Sequence, residues 1–248
     1  MRIFLDVGAH DGETLDVVLN PKWGFDVIHC FEPALSRFNL LKKFHDKRLV
    51  IHLFGLSSES KSTILYGAGH LGGSIYGQKL FLDPNIRNVT ETIRLENVSN
   101  WVILNTNPED QIYLKLNCEG SESDILENLI LSGHISRFSS IYVDFDIRKV
   151  PGQEHRQFLI ENDLNSRAIN FYTPDKLGLI ANPAVDKWLS ISMNEIGVNL
   201  FKQIFFALGL YLPFYLYSRK LLLKFAPKFF IKIIVKKFGL HSSKKFIN

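Results

Sequence analysis

The residues most able to do chemistry lie in short stretches that each follow an apolar run. DVGAHDGE at 6–13 sets Gly8 and Gly12 on either side of a tight step, with Asp6, Asp11 and Glu13 around it. Glycine at position 8 allows a backbone to come close to a ligand, and glycine at 12 allows the next element to pack tightly. The step is not the G-x-G-x-x-G of a dinucleotide turn, because His10 holds the middle glycine position, and it lacks the lysine of a phosphate-binding loop. Carboxylates crowded there disfavour a pyrophosphate. They suit a ligand with positive charge, such as the sulfonium and amino groups of S-adenosylmethionine. Twenty residues past Gly12, Glu32 in CFEP ends the second apolar run. A carboxylate in that place can accept both hydroxyls of a ribose.

The elements that must position these residues alternate in type. RIFLDV (2–7), FDVIHCF (25–31), LVIHLFGL (49–56), STILYGA (62–68), VTETIRL (89–95), QIYLKLN (111–117) and SIYVDFDI (140–147) have the short apolar or alternating pattern of strands. ETLDVVLN (13–20), ALSRFNLLKKF (34–44), VSNWVILN (98–105), SESDILENLILSG (121–133) and a stretch near 152–162 have helical spacing, the fourth closed by Gly133. Two late strands are expected near 167–172 and 186–193. The alternation predicts an α/β domain over 1–195, with a mainly parallel central sheet and helices on both faces. Such sheets place ligands at the carboxyl ends of their strands, which is where DVGAHDGE and CFEP fall.

FLDVGAHDGE, CFEP, FGLSSES and LKLNCEGSE together resemble the FkbM family of S-adenosylmethionine-dependent methyltransferases, over roughly residues 2–146 and in the same order. The resemblance implies a Rossmann-like class I methyltransferase fold, S-adenosylmethionine as cofactor, and methyl transfer to an oxygen, commonly of a sugar or natural product. It implies that Asp6, Gly8 and Gly12 line the methionine end of the cofactor, with His10 in the same turn. Glu32 would bind the ribose, and Leu56 and Ser57 would lie near the adenine. Lys115, Asn117 and Glu119 would face the reaction centre. The family carries aspartate where this chain has Asn117. An amide can hold a cofactor or orient a hydroxyl, but it cannot accept a proton as a general base.

A weakly nucleophilic hydroxyl benefits from a base. Glu119, Asp144, Asp146 and His155 are the candidates, with His10 a further one. Each has a structural alternative: Glu119 as a cap on the following helix, Asp144 and Asp146 in ion pairs with Arg148 or Lys149, His155 as a solvated side chain. Asp144 and Asp146 are expected to share one strand face. Asn117, Asp144 and Asp146 are also the set that a Mg²⁺ ion would use. The Gly-rich stretch GHLGGSIYG (69–77) reads as a mobile lid carrying His70, Ser74 and Tyr76 over the acceptor, or as a loose connection.

Charge divides the chain. Ten of the 29 basic residues and none of the 25 acidic ones fall in 196–248, which leaves 19 basic against 25 acidic in 1–195. Lys220, Lys224, Lys228, Lys232 and Lys236 recur every four residues among Leu, Phe and Ile. That pattern predicts a basic amphipathic helical C-terminal tail that lies on an anionic membrane surface through 200–240. Packing of the tail on the body is the competing reading. The acidic body and the Phe-rich tail argue against nucleic acid as partner. The opening residues show no secretory signal pattern, and the two cysteines imply no disulfide framework. A cytoplasmic protein, peripheral at the inner membrane face, is expected. Its expected acceptor is a hydroxyl-bearing small molecule or glycan. A domain that binds the cofactor without catalysis and an RNA ribose methyltransferase are the alternatives.

Overall fold

The computed structural model describes residues 1–80 and 84–193. In chain order the elements are β1 (Arg2–Val7), α1 (Leu15–Val18), β2 (Val27–Phe31), α2 (Leu35–Leu41), β3 (Leu49–His52), β4 (Gly55–Ser57), β5 (Lys61–Tyr66), α3 (Pro84–Arg87), β6 (Thr90–Asn97) and α4 (Val98–Asn105). There follow β7 (Gln111–Leu116), α5 (Glu122–Leu131), β8 (Phe138–Val143), α6 (His155–Ser166), β9 (Phe171–Tyr172) and α7 (Pro174–Leu177). A final helix, α8, covers 181–193.

Six strands form one sheet in the order β3-β2-β1-β7-β8-β9, and every neighbouring pair is parallel. This is a Rossmann-like α/β fold. The chain lays β1 to β3 outward in one direction, then returns to build β7 to β9 in the other. The switch in direction therefore falls between β1 and β7. Both of these central strands are buried along nearly their whole length, as parallel strands covered on both faces must be. That burial explains why RIFLDV and QIYLKL read as continuous apolar runs rather than alternating ones. A second sheet, β4-β6-β5, stands beside the first, with Leu65, Ile93 and Leu95 buried against Ala34.

The structure corrects three boundaries. LVIHLFGL is two strands in two sheets, broken at Leu53 and Phe54. Phe54 turns to pack on Phe31 and His52. Gly55 then lets the chain reach the second sheet, since a Cβ there would lie 2.8 Å from Leu95 Cδ2. Second, 186–193 is helix, not strand. Ala184, Val185, Trp188, Leu189 and Ser192 are buried at the 3–4-residue spacing of one helix face. Trp188 Nε1 donates to Ser140 Oγ at 2.8 Å and fixes that face to β8. Third, β8 stops at Val143, so Asp144 and Asp146 lie beyond it and do not share a strand face. Among the described residues no helix is long and apolar enough to cross a membrane. The expected tail helices lie outside the described residues.

Candidate functional site

A crevice of about 410 Å³ opens at the carboxyl ends of β1, β2, β7 and β8, at the switch in strand order and within the usual size range for a small-molecule site. Its floor starts from a charge pair. Asp6 and Lys115 are register partners on β1 and β7, and the Lys115 ammonium lies 2.9 Å from Asp6 Oδ1 with both side chains buried. Neither charge would be tolerated alone among such apolar strands. Lys115 also donates to the Gly8 carbonyl at 3.0 Å, so the pair holds the first turn in place. Gly8 has φ +79°, and a Cβ there would lie 2.0 Å from the Asn117 carbonyl oxygen. Gly8 is therefore required twice, by conformation and by contact. Gly8, Asn117 and Lys115 all line the crevice, and Asn117 is exposed within it.

Glu32 forms the next wall. It is 6% exposed. Its two carboxylate oxygens accept the backbone N–H groups of His10 and Ala34, each at 2.9 Å. Burial raises its pKa, while those two hydrogen bonds act against the rise. One hydrogen bond per oxygen leaves lone pairs free on both, and Glu32 lines the crevice. His10 also lines it, at φ 46°, with a pKa lowered by burial. Arg37 of α2 closes this end, with Nη1 on Asp11 at 2.6 Å and Nε donating to the Gly69 carbonyl at 2.6 Å. Leu56, Leu65, Ile93, Leu95 and Pro33 add an apolar lining.

Three residues expected at the cofactor stand behind the crevice instead. Asp6 is spent on Lys115 and acts beneath the turn. A Cβ at Gly12 would meet Phe44 and Leu41 side chains at 2.4 and 3.0 Å, so Gly12 serves helix packing. Ser57, buried at the end of β4, does not line the crevice although Leu56 before it does.

At the opposite end lie Asn117, Cys118, Glu119, Tyr142 and Asp144. The turn after β7 is held by Glu122, which is fully buried and accepts from Cys118 N at 2.7 Å and Gly120 N at 2.9 Å. Burial raises the Glu122 pKa to about 7. Glu119 takes φ +59°, a conformation that costs a side-chain-bearing residue roughly 1–2 kcal/mol. Its carboxylate is bound by the ammonium of Lys79. Burial and a hydrogen bond with Asp146 raise the Glu119 pKa to about 7. Asp146 is 4% exposed and is held by Lys79 at 2.9 Å and Lys149 at 2.6 Å. Burial opposes its ionisation, but hydrogen bonds with Glu119, Lys149 and Lys79 hold its pKa down.

Asp144 is different. It lines the crevice, its side chain is 33% exposed, and its nearest cation, Arg148, is 4.0 Å away. Burial and the neighbouring Asp146 raise its pKa. Its backbone N–H donates to the Leu116 carbonyl at 3.0 Å, which places it directly beside Asn117. His155 stands exposed at the first turn of α6 and does not line this crevice. Asn117 and Asp144 thus come together, while Asp146 turns away to its two lysines. No group of three or more His, Cys, Asp or Glu side chains that could hold a metal exists among the described residues, and the Mg²⁺ set of the sequence reading does not assemble.

The Gly-rich stretch, expected as a lid or a loose connection, is bonded to the crevice wall. Ser74 is bridged to Tyr66 by paired backbone bonds, and its Oγ donates to the Glu119 carbonyl at 2.6 Å. The Tyr76 hydroxyl donates to Asp124 at 2.8 Å. His70 lines the crevice and Leu71 stands 76% exposed at the tip. Lys79, Glu122 and Arg37 were not legible as site residues. Lys79 meets partners 40 and 67 residues away, and no local pattern marks that. Glu122 carried a usable signal, an acid that opens a helix two residues past a glycine.

No protein-family profile matches the chain, and no curated protein matches it. Among solved structures the chain is similar to a methyltransferase FkbM from Methylobacillus flagellatus KT, at 17% identity and a TM-score of 0.35. The similarity covers 53% of this chain and 30% of that one. A likeness of that extent says nothing about which residues act, and the site stands on its own geometry.

Proposed function

We propose that this protein transfers a methyl group from S-adenosylmethionine to a hydroxyl, with Asp144 as the general base. The observation that carries the reading is Glu32: a buried carboxylate at the end of β2, lining the crevice, with each oxygen oriented by one backbone N–H and able to accept one more hydrogen bond. The residues fit the cofactor. Gly8 lines the crevice with bare backbone, Glu32 suits a ribose diol, and the Leu56, Ile93 and Leu95 lining suits an adenine. When bound, S-adenosylmethionine supplies a methyl group already activated on sulfonium.

Catalysis by this chain is then positioning and proton removal. Asn117 orients the acceptor oxygen through its amide. Asp144, beside it and open to the crevice, takes the hydroxyl proton. Glu119 and Asp146 are held by Lys79, and Lys115 by Asp6, so these form the frame. A sugar or glycan hydroxyl is the acceptor class, and the basic stretch 196–248 brings the protein to an anionic membrane surface where lipid-linked glycans are found.

Labelled S-adenosylmethionine incubated with methyl glycosides, lipid-linked glycan and RNA tests the acceptor. Label in a glycan, lost in Asp144→Asn, supports the reading. Label in RNA would replace the acceptor class. Cofactor binding without label in any acceptor would favour a non-catalytic binding domain, for which Asn117 in place of an acid is the supporting feature.

A further inference from the structure

Lys79 is one of the most buried charged side chains described, 3% exposed, and it comes from the end of a surface loop. Its ammonium meets Glu119, which lines the crevice, and Asp146, which does not. The same loop makes three further contacts with that wall. Ser74 Oγ donates to the Glu119 carbonyl at 2.6 Å. The Tyr76 ring covers Gly120, where a Cβ would lie 3.2 Å from Tyr76 Cδ2. Leu80 N donates to the Lys149 carbonyl at 2.7 Å, just past Asp146. At its other end Gly69 is held by Arg37, which also grips Asp11 of the first turn. A residue kept in a sparsely populated backbone region persists only where its surroundings over-determine it. For Glu119 those surroundings are Glu122, which accepts from the flanking Cys118 and Gly120 N–H groups, and this loop, which reaches the Glu119 carboxylate and carbonyl.

We propose that Lys79 is a positioning residue of the crevice: its ammonium, paired with Glu119 and Asp146, seats the 67–80 loop and fixes the strained Glu119 turn, so that the wall beside Asn117 exists only when the loop is down. The loop is a wall clamped by charge, and any opening that admits an acceptor must break the Lys79 contacts. This goes beyond the proposed reaction. The clamp holds whether or not that reaction is the right one.

Hydrogen exchange read by mass spectrometry on the full-length protein tests it with no cofactor present. In Lys79→Met, peptides covering 67–80 and 117–121 exchange at least tenfold faster, while β1 and β7 peptides stay within twofold. Lys79→Arg restores most of the protection, because a cation at that place is what the carboxylates need. Should Lys79→Met fail to fold, the Lys79→Met/Glu119→Gln pair removes both charges and keeps the experiment decisive: it folds and still exchanges fast over 67–80. Protection unchanged in Lys79→Met, or lost equally in Lys79→Arg, overturns the proposal. Titration of S-adenosylhomocysteine into the same variants is read separately. Absence of binding with the exchange pattern as expected rejects the cofactor reading and leaves the clamp standing.

Discussion

Gly8 and Asn117 meet backbone to backbone: a Cβ on Gly8 would lie 2.0 Å from the Asn117 carbonyl oxygen. The turn after β1 and the turn after β7 are therefore one piece of structure, joined across the switch point of the sheet.

Gly8→Ala is expected to cost about 3 kcal/mol or more, since backbone cannot move aside and φ is positive. Gly12→Ala shares the positive φ, at +84°, but meets the far ends of Phe44 and Leu41 side chains, which can shift. Its loss is expected to be about half as large. Urea unfolding of both variants measures the difference, and equal losses would mean that the Gly8–Asn117 contact is not what restrains the turn.

Asp144→Asn is expected to lower the methyl-transfer rate about 10²- to 10⁴-fold, the usual worth of a positioned base, with S-adenosylhomocysteine affinity within threefold of wild type. Asn117→Asp places a second acid beside Asp144 and is expected to raise the Asp144 pKa further, shifting the rate–pH profile to higher pH. An Asp144→Asn enzyme with full turnover would move the base elsewhere, with His10 first in line.

Stability should respond to pH through two opposed groups. His29 and His52 touch at 3.0 Å beside Phe31 and Trp101, and burial lowers each pKa to about 4. A depressed histidine pKa means the unfolded chain binds more protons, so stability falls as pH drops from about 6.5 toward 4, by about 1–2 kcal/mol for the pair once their part exposure is allowed for. Glu122 acts the other way. Its raised pKa of about 7 makes the folded chain bind more protons, and stability falls as pH rises from about 4.5 to 7. Replacing both histidines with Gln is expected to leave exposed the slope of Glu122 and of Glu119, which is also raised to about 7, so that the variant is more stable at pH 5 than at pH 7. Urea midpoints at the two pH values decide it, and a variant that still loses stability on acidification would assign the acid sensitivity elsewhere.

Most of the sheet was legible in the residues because parallel strands buried on both faces must be continuous apolar runs. That rule found β1, β2, β7 and β8 without tertiary information. It failed where one run serves two sheets, as at 49–57, because nothing local says which partner each half will pair with. It failed at 186–193, where the buried residues Val185, Trp188, Leu189 and Ser192 lie at the spacing of one helix face. In the site, Gly8 and Glu32 were readable because each directly follows an apolar run, whereas Asn117 and Asp144 fall inside the runs 111–117 and 140–147, and the strand ends at Leu116 and Val143 are what bring them to the crevice. Asp6 was read as a cofactor contact because its partner, Lys115, is 109 residues away and only the β1–β7 register brings the two together. Lys79 was invisible for the same reason: a buried ion pair between distant segments leaves no periodicity behind.

Calorimetric titration of S-adenosylhomocysteine into the full-length protein, beside Glu32→Ala, tests the central claim most directly. The account predicts micromolar binding by wild type and at least a hundredfold loss in Glu32→Ala, with the variant still unfolding cooperatively. No binding by well-folded wild type, or equal binding by the two proteins, would contradict it.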